Sequence, residues 1–423
     1  MKPKLCFILP VLLISIVLAA VVGSAADLNP PLNSDSLLLK DGDILTPNQT
    51  MSAEAVGQDI RLLKYALENA YVGSRYGNSK IVAEVISDLD VLARNISAQY
   101  SSEQLCNDIA PLLYKIPDGH MNDSMPKQFC GTPKLLYKDE QHFLHDGAVG
   151  HVGANLARQK DKPWELNWVQ AGKIQVPVVS VTSFPDSETP GWSGFLETIQ
   201  KLKDTAPAII FDMRGNSGGD SRKGERAAAI LYGQETPSPV KRVITLQTPD
   251  AVVSYDINTV KFGKTFQYQI HGNSMPAEAV QDMNNRMKGR FEWYAKVKTG
   301  EVPQYSVENI PQKPLDTQKV YRHPIYILTD KMCVSSCEAF VEYFEAHPYA
   351  RTVGENTGGL VHFGNHGLIL LPNSNVTVRL PVLFKEFRDN RFVERTGYAP
   401  AIKSKGDALE QALRSLAETF KPE

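Results

Sequence analysis

The stretch HPIYILTDKMCVSSCEAF, residues 323–340, contains an apolar run, a turn and the start of a helix. The run PIYILTD predicts a buried strand, and the residues from Glu338 onward predict a helix. Two adjacent serines, Ser335 and Ser336, stand at the junction. One of them is explained as a helix N-cap. Because a cap needs only one serine, the second indicates a nucleophile at the positive end of the helix.

Strands and helices alternate along most of the chain. The runs KIQVPVVSVTSF and APAIIFDM predict strands, whereas GFLETIQKL and SRKGERAAAILYG predict helices. This alternation predicts an α/β fold over residues 126–423, with an insertion at about 235–320 where Pro-rich turns interrupt the pattern. In residues 51–125, apolar side chains recur at helical spacing, and Ser101 with Gln104 forms a capping-box pattern. We therefore expect a small N-terminal helical domain before the α/β domain.

The composition and the N-terminus indicate an exported globular protein. The chain has 423 residues, of which 42% are hydrophobic and 22% charged, and its formal net charge is −2. No basic stripe is present, which argues against nucleic acid as a partner. Residues 1–26 are typical of a cleaved signal peptide, with an uncleaved membrane anchor as the alternative, and residues 27–50 form a polar linker. We expect a secreted or periplasmic protein that has no stable membrane span after cleavage.

Four cysteines remain after the signal peptide, and an even number in an oxidising compartment permits disulfides. Cys106 and Cys130 form the candidate long-range pair. Cys333 and Cys337 bracket the two serines. They either form a disulfide that clamps the turn or stay small buried thiols.

Further polar motifs supply candidates for a catalytic site. The turn in IIFDMRGNSGGD, with Gly218 and Gly219, favours an oxyanion hole, since it lacks the Lys-Ser or Lys-Thr of a phosphate-binding loop. A serine nucleophile needs a base. His120 in KIPDGHMND lies in a predicted loop close to Asp118, which would either orient its ring or cap the turn. Glu394 in FVERTGYAP is the candidate acid of a Ser-His-acid triad.

Four more histidines are weaker candidates. His362 and His366 flank FGN and are alternative bases. His142 and His145 form an HxxH pattern, but no third ligand motif accompanies them, so we expect no metal.

Together these motifs resemble the C-terminal-processing (tail-specific) serine peptidases, on the branch of the tricorn core, the chlamydial protease-like activity factor and the interphotoreceptor retinoid-binding repeats. The resemblance covers most of the mature chain and rests on DGHM, FDMRGNSGGD, CVSSCEAF, TVGENTGG and VERTGYAP. It implies a crotonase/ClpP-like β-superhelix core, a peptide or protein substrate, and neither cofactor nor metal. The serine block of the family implies that Ser335 rather than Ser336 is the nucleophile. The backbone N–H of Ser336 would then contribute to the oxyanion hole.

The chain departs from the tail-specific pattern at two places. Leu360 stands where that branch has the lysine of a Ser-Lys dyad, so the resemblance implies a constellation of Ser335, His120 and Glu394 instead. No PDZ-like stretch lies between the His120 segment and the Arg-Gly-Asn segment, so capture of substrate by a PDZ domain is not expected. A lipid- or retinoid-type binding protein on the same scaffold and a serine esterase are the alternatives.

Overall fold

A computed structural model describes residues 31–39, 50–122, 162–184, 192–261 and 277–420. The described strands form sheets of two, four and six members. The strands are β1 (Thr50–Ser52), β2 (Gln99–Ser101), β3 (Trp164–Ala171), β4 (Ile174–Val181), β5 (Ile209–Asp212), β6 (Val240–Leu246), β7 (Tyr305–Asn309), β8 (Ile325–Thr329), β9 (Ala350–Gly354), β10 (Phe363–Leu370), β11 (Thr377–Phe387) and β12 (Ile402–Lys403).

The α-helices that the structure describes connect and cover these sheets. They are α1 (Ala53–Asn69), α2 (Ser79–Arg94), α3 (Ser102–Tyr114), α4 (Gly119–Asn122), α5 (Phe195–Thr205), α6 (Ser221–Tyr232), α7 (Pro249–Val252), α8 (Ala277–Lys298), α9 (Ser336–Phe344) and α10 (Ala408–Thr419). A π-helix, Val253–Asn258, follows α7, and short 3₁₀ helices span Ser34–Leu37 and Val72–Ser74.

The six-stranded sheet has the order β12-β9-β8-β5-β4-β3, and only β3 runs antiparallel to its neighbour. Parallel neighbours need crossover connections, which α5 supplies between β4 and β5 and α9 between β8 and β9. β5 and β8 pair directly, with Ile210 opposite Tyr326. The turns that follow these two strands therefore emerge side by side at one edge of the sheet.

The apolar runs of β5 and β8 are explained by burial on both faces of the sheet. Ile209 and Ile325 belong to the hydrophobic cluster on one face, while Ile210 and Leu328 belong to the cluster on the other. Successive side chains of a strand point to opposite faces. A strand that is covered on both sides therefore shows a continuous apolar run rather than alternation.

The four-stranded sheet is antiparallel and has the order β10-β11-β6-β7. Two of its strands, β6 and β7, lie within residues 235–320, the segment interpreted as an insertion. Helix α8 from the same segment contributes Met287 and Tyr294 to the core beside this sheet.

The N-terminal helices pack onto the four-stranded sheet and share its core. Val56 and Leu63 of α1 belong to the same buried cluster as Ile369 of β10 and Val378 of β11. The capping box predicted at Ser101 is confirmed at the start of α3. These helices consequently place the residues that follow α3 against β10 and β11.

The predicted α/β fold with an N-terminal helical region is confirmed. Residues 1–26 and most of residues 27–50 lie outside the described part of the chain, and the domain boundaries stay a prediction. Among the helices that the structure describes, none combines the length and the apolar character needed to cross a bilayer.

Asp59 on α1 fixes the helices to the sheet and generates a stability prediction. Its fully buried carboxylate accepts hydrogen bonds from the backbone N–H groups of Asn373 and Ser374, at 3.0 and 2.8 Å, beyond the end of β10. Asp59→Ala leaves these buried donors without an acceptor, and we expect unfolding to become easier by about 3 kcal/mol. Urea denaturation measures the change. The control Asp90→Ala removes a half-exposed ion pair with Lys64 and should cost less than about 1 kcal/mol. Equal losses of unfolding free energy in the two variants would contradict the anchoring role of Asp59.

Candidate active site

Ser335 occupies the N-cap position of α9 in a backbone conformation that non-glycine residues rarely adopt. Its φ is 58° and its ψ is −116°. Such a conformation costs on the order of 1–3 kcal/mol and persists only where the surroundings enforce it. A sharp strand-to-helix turn of this kind presents a serine Oγ at the surface of the sheet edge. Ser335 is half-buried.

A disulfide between Cys333 and Cys337 closes this turn. Both cysteines are fully buried, and the residues between them include Ser335 and Ser336. Of the two alternatives that the sequence left open, the clamp is confirmed. Cys106 is also disulfide-bonded, whereas its predicted partner Cys130 lies outside the described residues.

Glu338 holds the turn from inside the protein. Its fully buried carboxylate accepts hydrogen bonds from the N–H of Ser335 at 3.0 Å, from those of Gly359 and Leu360 at 2.7 Å each, and from Thr357 Oγ1 at 2.6 Å. Burial raises the pKa of Glu338 to about 7, and the four donors oppose that rise because they stabilise the anion. The carboxylate thus joins the start of α9 to the loop 357–360.

His120 lies in α4 and faces Ser335 across 215 residues of sequence. The distance between His120 Nε2 and Ser335 Oγ is 3.2 Å, within hydrogen-bond reach. Burial, with smaller effects from His366, Arg379 and Lys385, lowers the pKa of His120 to about 3. The imidazole is therefore neutral at physiological pH. Its Nδ1 is buried without a hydrogen-bond partner in the described part of the chain. A neutral ring that accepts from Ser335 at Nε2 carries its proton on Nδ1.

Glu394 reaches the histidine segment through its backbone. Its buried carboxylate accepts hydrogen bonds from the N–H of Gly119 at 2.9 Å and from those of Val361 and His362 at 3.0 and 2.8 Å. Burial and the nearby Asp118 carboxyl raise the pKa of Glu394 above its ordinary value. Three backbone donors favour the ionised form against this effect.

Asp118 lies on the other side of the same cluster. It is fully buried, and it accepts hydrogen bonds from the N–H of Met121 at 3.1 Å and from the hydroxyl of Tyr71 at 2.9 Å. Burial raises the pKa of Asp118. One carboxyl oxygen from each of Asp118 and Glu394 lies within 4.8 Å of a His120 ring nitrogen and of the other carboxyl oxygen. Such a set could ligate a metal, and each oxygen of the two carboxyl groups also accepts at least one hydrogen bond.

The glycine turn after β5 lies against the serine turn. The backbone N–H of Gly218 donates to Asn216 Oδ1 at 2.8 Å, so this group is not available to an oxyanion as predicted. The N–H groups of Gly219 and Ser336 have no acceptor among the described residues. A Cβ at position 218 would lie 3.0 Å from Ser336 N and 2.9 Å from Ser335 Cβ, which means that glycine keeps this space open. Ser336 Oγ donates to the carbonyl of Gly219 and joins the two turns.

The alternative bases are not placed to act on Ser335 in the same way. Both ring nitrogens of His362 are engaged, Nδ1 with the carbonyl of Lys385 at 3.1 Å and Nε2 with the N–H of Val393 at 3.0 Å. His366 stacks on the ring of His120. His142 and His145 lie outside the described residues.

Sequence reasoning missed Glu338 and Asn216. The signal for Glu338 was the spacing Ser335-x-x-Glu338, a capping-box pattern that predicts a bond from the glutamate to the backbone of the serine. The signal for Asn216 was its position two residues before Gly218, since an Asn side chain commonly accepts from the backbone N–H two residues on.

Comparison with known proteins identifies the family. The model of Peptidase family S41 matches residues 175–404, more than half of the chain. The chain belongs to peptidase family S41. This match includes the glycine turn, the serine turn and Glu394. No curated protein sequence is significantly similar to the chain.

Solved structures resemble this S41 peptidase over most of its length. The crystal structure of mature CPAF is 14% identical, covers 87% of this chain and 95% of its own, and gives a TM-score of 0.50, which supports the fold. The crystal structure of a candidate peptidase from Parabacteroides merdae ATCC 43184 is 15% identical, with coverages of 87% of this chain and 97% of its own and a TM-score of 0.47. The photosystem II D1 C-terminal processing protease is 12% identical with coverages of 60% and 53% and a TM-score of 0.35.

The buried position of Glu338 predicts that replacing its carboxylate by an amide strongly lowers the stability of the protein. Glu338→Gln replaces an acceptor oxygen by an NH₂ group that faces backbone donors, and we expect a loss of about 3 kcal/mol in unfolding free energy. We also expect slower peptide hydrolysis, because the Ser335 turn loses its anchor. Urea denaturation and peptide turnover measure the two effects. Glu345→Gln on the same segment removes an exposed pair with Arg391 and should change stability by less than about 1 kcal/mol. A stable and fully active Glu338→Gln variant would disprove the anchoring role.

Proposed function

We propose that this S41 peptidase is a secreted or periplasmic serine endopeptidase that uses Ser335, His120 and Glu394 and forms an acyl-enzyme intermediate. The observation that carries the proposal is the 3.2 Å contact between His120 Nε2 and Ser335 Oγ. A serine hydroxyl becomes a useful nucleophile only beside a base. His120 is the described base that lies within hydrogen-bond distance of this hydroxyl.

In the first step, Ser335 Oγ attacks the peptide carbonyl while neutral His120 takes the hydroxyl proton at Nε2. The carbonyl oxygen becomes an oxyanion in the space that Gly218 leaves open. The N–H groups of Gly219 and Ser336 border that space and are free among the described residues to stabilise the charge. His120 then donates the proton to the leaving amine, and the acyl group remains on Ser335. Water then attacks the acyl group with His120 again as base, and His120 returns that proton to Ser335 Oγ as the acid leaves.

Glu394 supports the charged form of His120. Its carboxylate fixes Gly119, the residue before the histidine, and lies close to the ring. When His120 carries a proton, a nearby carboxylate stabilises it electrostatically. Leu360 occupies the space beside this segment, because a Cβ at Gly119 would lie 2.5 Å from Leu360 Cγ. An apolar side chain at Leu360 supplies no amine, which supports histidine rather than lysine as the base.

The proposed compartment rests on the serine turn itself. A disulfide that brackets the nucleophile is stable in oxidising compartments and rare in reducing ones. This agrees with the signal peptide predicted at residues 1–26.

A serine-directed fluorophosphonate tests the proposal. We expect covalent labelling of the wild-type protein, loss of labelling in Ser335→Ala, and labelling in Ser336→Ala, whose backbone N–H is unchanged. Mass spectrometry of the labelled peptide identifies the residue. An unlabelled wild-type protein that binds a lipid or retinoid saturably would instead support the binding-protein alternative. Faster turnover of esters with no turnover of peptides would support the esterase.

The oxyanion space generates a second prediction. Gly218→Ala places a methyl group against Ser336 N and Ser335 Cβ, and we expect kcat to fall by about 10²- to 10³-fold, as for loss of an oxyanion donor. Steady-state peptide hydrolysis measures the change. Gly300→Ala is the matched control, since Gly300 also has a positive φ, 77°, but no atom within 4 Å of the added Cβ. It should lose some stability and no activity. Wild-type kcat in Gly218→Ala would contradict the assigned space.

A further inference from the structure

His366 lies beside the proposed base on a rigid strand. Its ring centroid is 5.7 Å from that of His120, and the two ring planes differ by 24°, a stacked arrangement. The neighbouring positions on β10 are fixed. Gly367 packs so closely on the π-helix that a Cβ there would lie 2.4 Å from Ser254 Oγ, and Asn258 Nδ2 donates to the carbonyl of Leu368 at 2.9 Å.

The protonation state and the hydrogen bonding of the His366 ring determine how it can interact with His120. Burial, with a smaller effect from Arg379, lowers the pKa of His366 to about 4, so the ring is neutral at physiological pH. Its ring nitrogens have no hydrogen-bond partner among the residues that the structure describes, unlike those of His362. His366 therefore presents a neutral ring face to His120 rather than a hydrogen bond.

We propose that His366 is a positioning residue for His120. Its ring stacks beside the imidazole and restricts tilting of the ring plane away from Ser335. The inference rests on the proposed function, since it concerns the orientation of the proposed base. It adds a residue that acts through His120 and touches no reacting atom.

The physical basis is the orientation of the His120 ring. Stacked aromatic rings prefer an offset arrangement with centroids 4.5–7 Å apart, and the pair of His120 and His366 lies within this range. A base that tilts away from Ser335 takes the hydroxyl proton less readily, whereas the contacts with bound substrate are unaffected. Loss of the stack should therefore lower kcat and leave KM unchanged.

Three variants of His366 distinguish the contribution of the aromatic ring from that of its nitrogen atoms. His366→Phe keeps a ring and removes the nitrogens, His366→Leu keeps apolar volume without a ring, and His366→Asn keeps hydrogen-bonding groups without a ring. We expect kcat for a peptide substrate within about twofold of wild type in His366→Phe. In His366→Leu and His366→Asn we expect kcat to fall about three- to tenfold with KM unchanged. Rates are normalised to the folded fraction, measured by near-UV circular dichroism.

His347 supplies the matched control. It is another buried histidine whose pKa burial lowers to about 4, and its ring contacts Tyr232 and Phe344, away from Ser335. His347→Leu should lower the melting temperature and leave kcat of the folded fraction unchanged. A purely structural role of His366 predicts the same behaviour for His366→Leu.

The outcomes distinguish this inference from the proposed function. Full kcat in His366→Leu would overturn the positioning role. Full kcat in His366→Asn together with a loss in His366→Phe would also overturn it, because the nitrogens would then matter, as in hydrogen bonding to substrate. If His366→Leu does not fold, the comparison of Phe with Asn decides alone. Ser335→Ala is measured beside them, and full turnover by Ser335→Ala would overturn the proposed function itself, whatever the His366 variants show.

Discussion

Two buried glutamates hold the segment 357–362, and the geometry of the site depends on this clamp. Glu338 binds Gly359 and Leu360, and Glu394 binds Val361 and His362. Each carboxylate also holds one catalytic segment, Glu338 through the N–H of Ser335 and Glu394 through the N–H of Gly119. A continuous set of hydrogen bonds therefore links the proposed nucleophile to the proposed base.

The clamp is needed because the two catalytic segments belong to different cores. Cys333 and Cys337 belong to the core on one face of the six-stranded sheet, whereas Ile116 and Met121 belong to the core beneath the N-terminal helices. Small shifts between two such cores would change a 3.2 Å contact substantially. Burying carboxylates is costly, which is reflected in the raised pKa values of Glu338 and Glu394, and the backbone donors offset that cost. The unusual backbone angles of Ser335 are maintained by the same contacts and by the disulfide.

The elements that depend on neighbouring residues in the chain were predictable from the sequence. The apolar runs of β5 and β8, the capping box at Ser101 and the serine turn are each determined by neighbouring residues. Pairing Ser335 with His120 required the family resemblance, since no local signal spans 215 residues. Features that depend on tertiary packing were not predictable. Examples are the engagement of both His362 nitrogens and the stack of His366 on His120.

Chemical rescue of a histidine variant tests the central claim most directly. In His120→Ala, we predict that peptide turnover falls by about 10²- to 10⁴-fold, the usual contribution of a general base. Added imidazole should restore part of the turnover in a saturable manner, because it fits the space that the side chain leaves beside Ser335. The double variant with Ser335→Ala should show no rescue. Peptide turnover by His120→Ala at the wild-type rate would contradict the account.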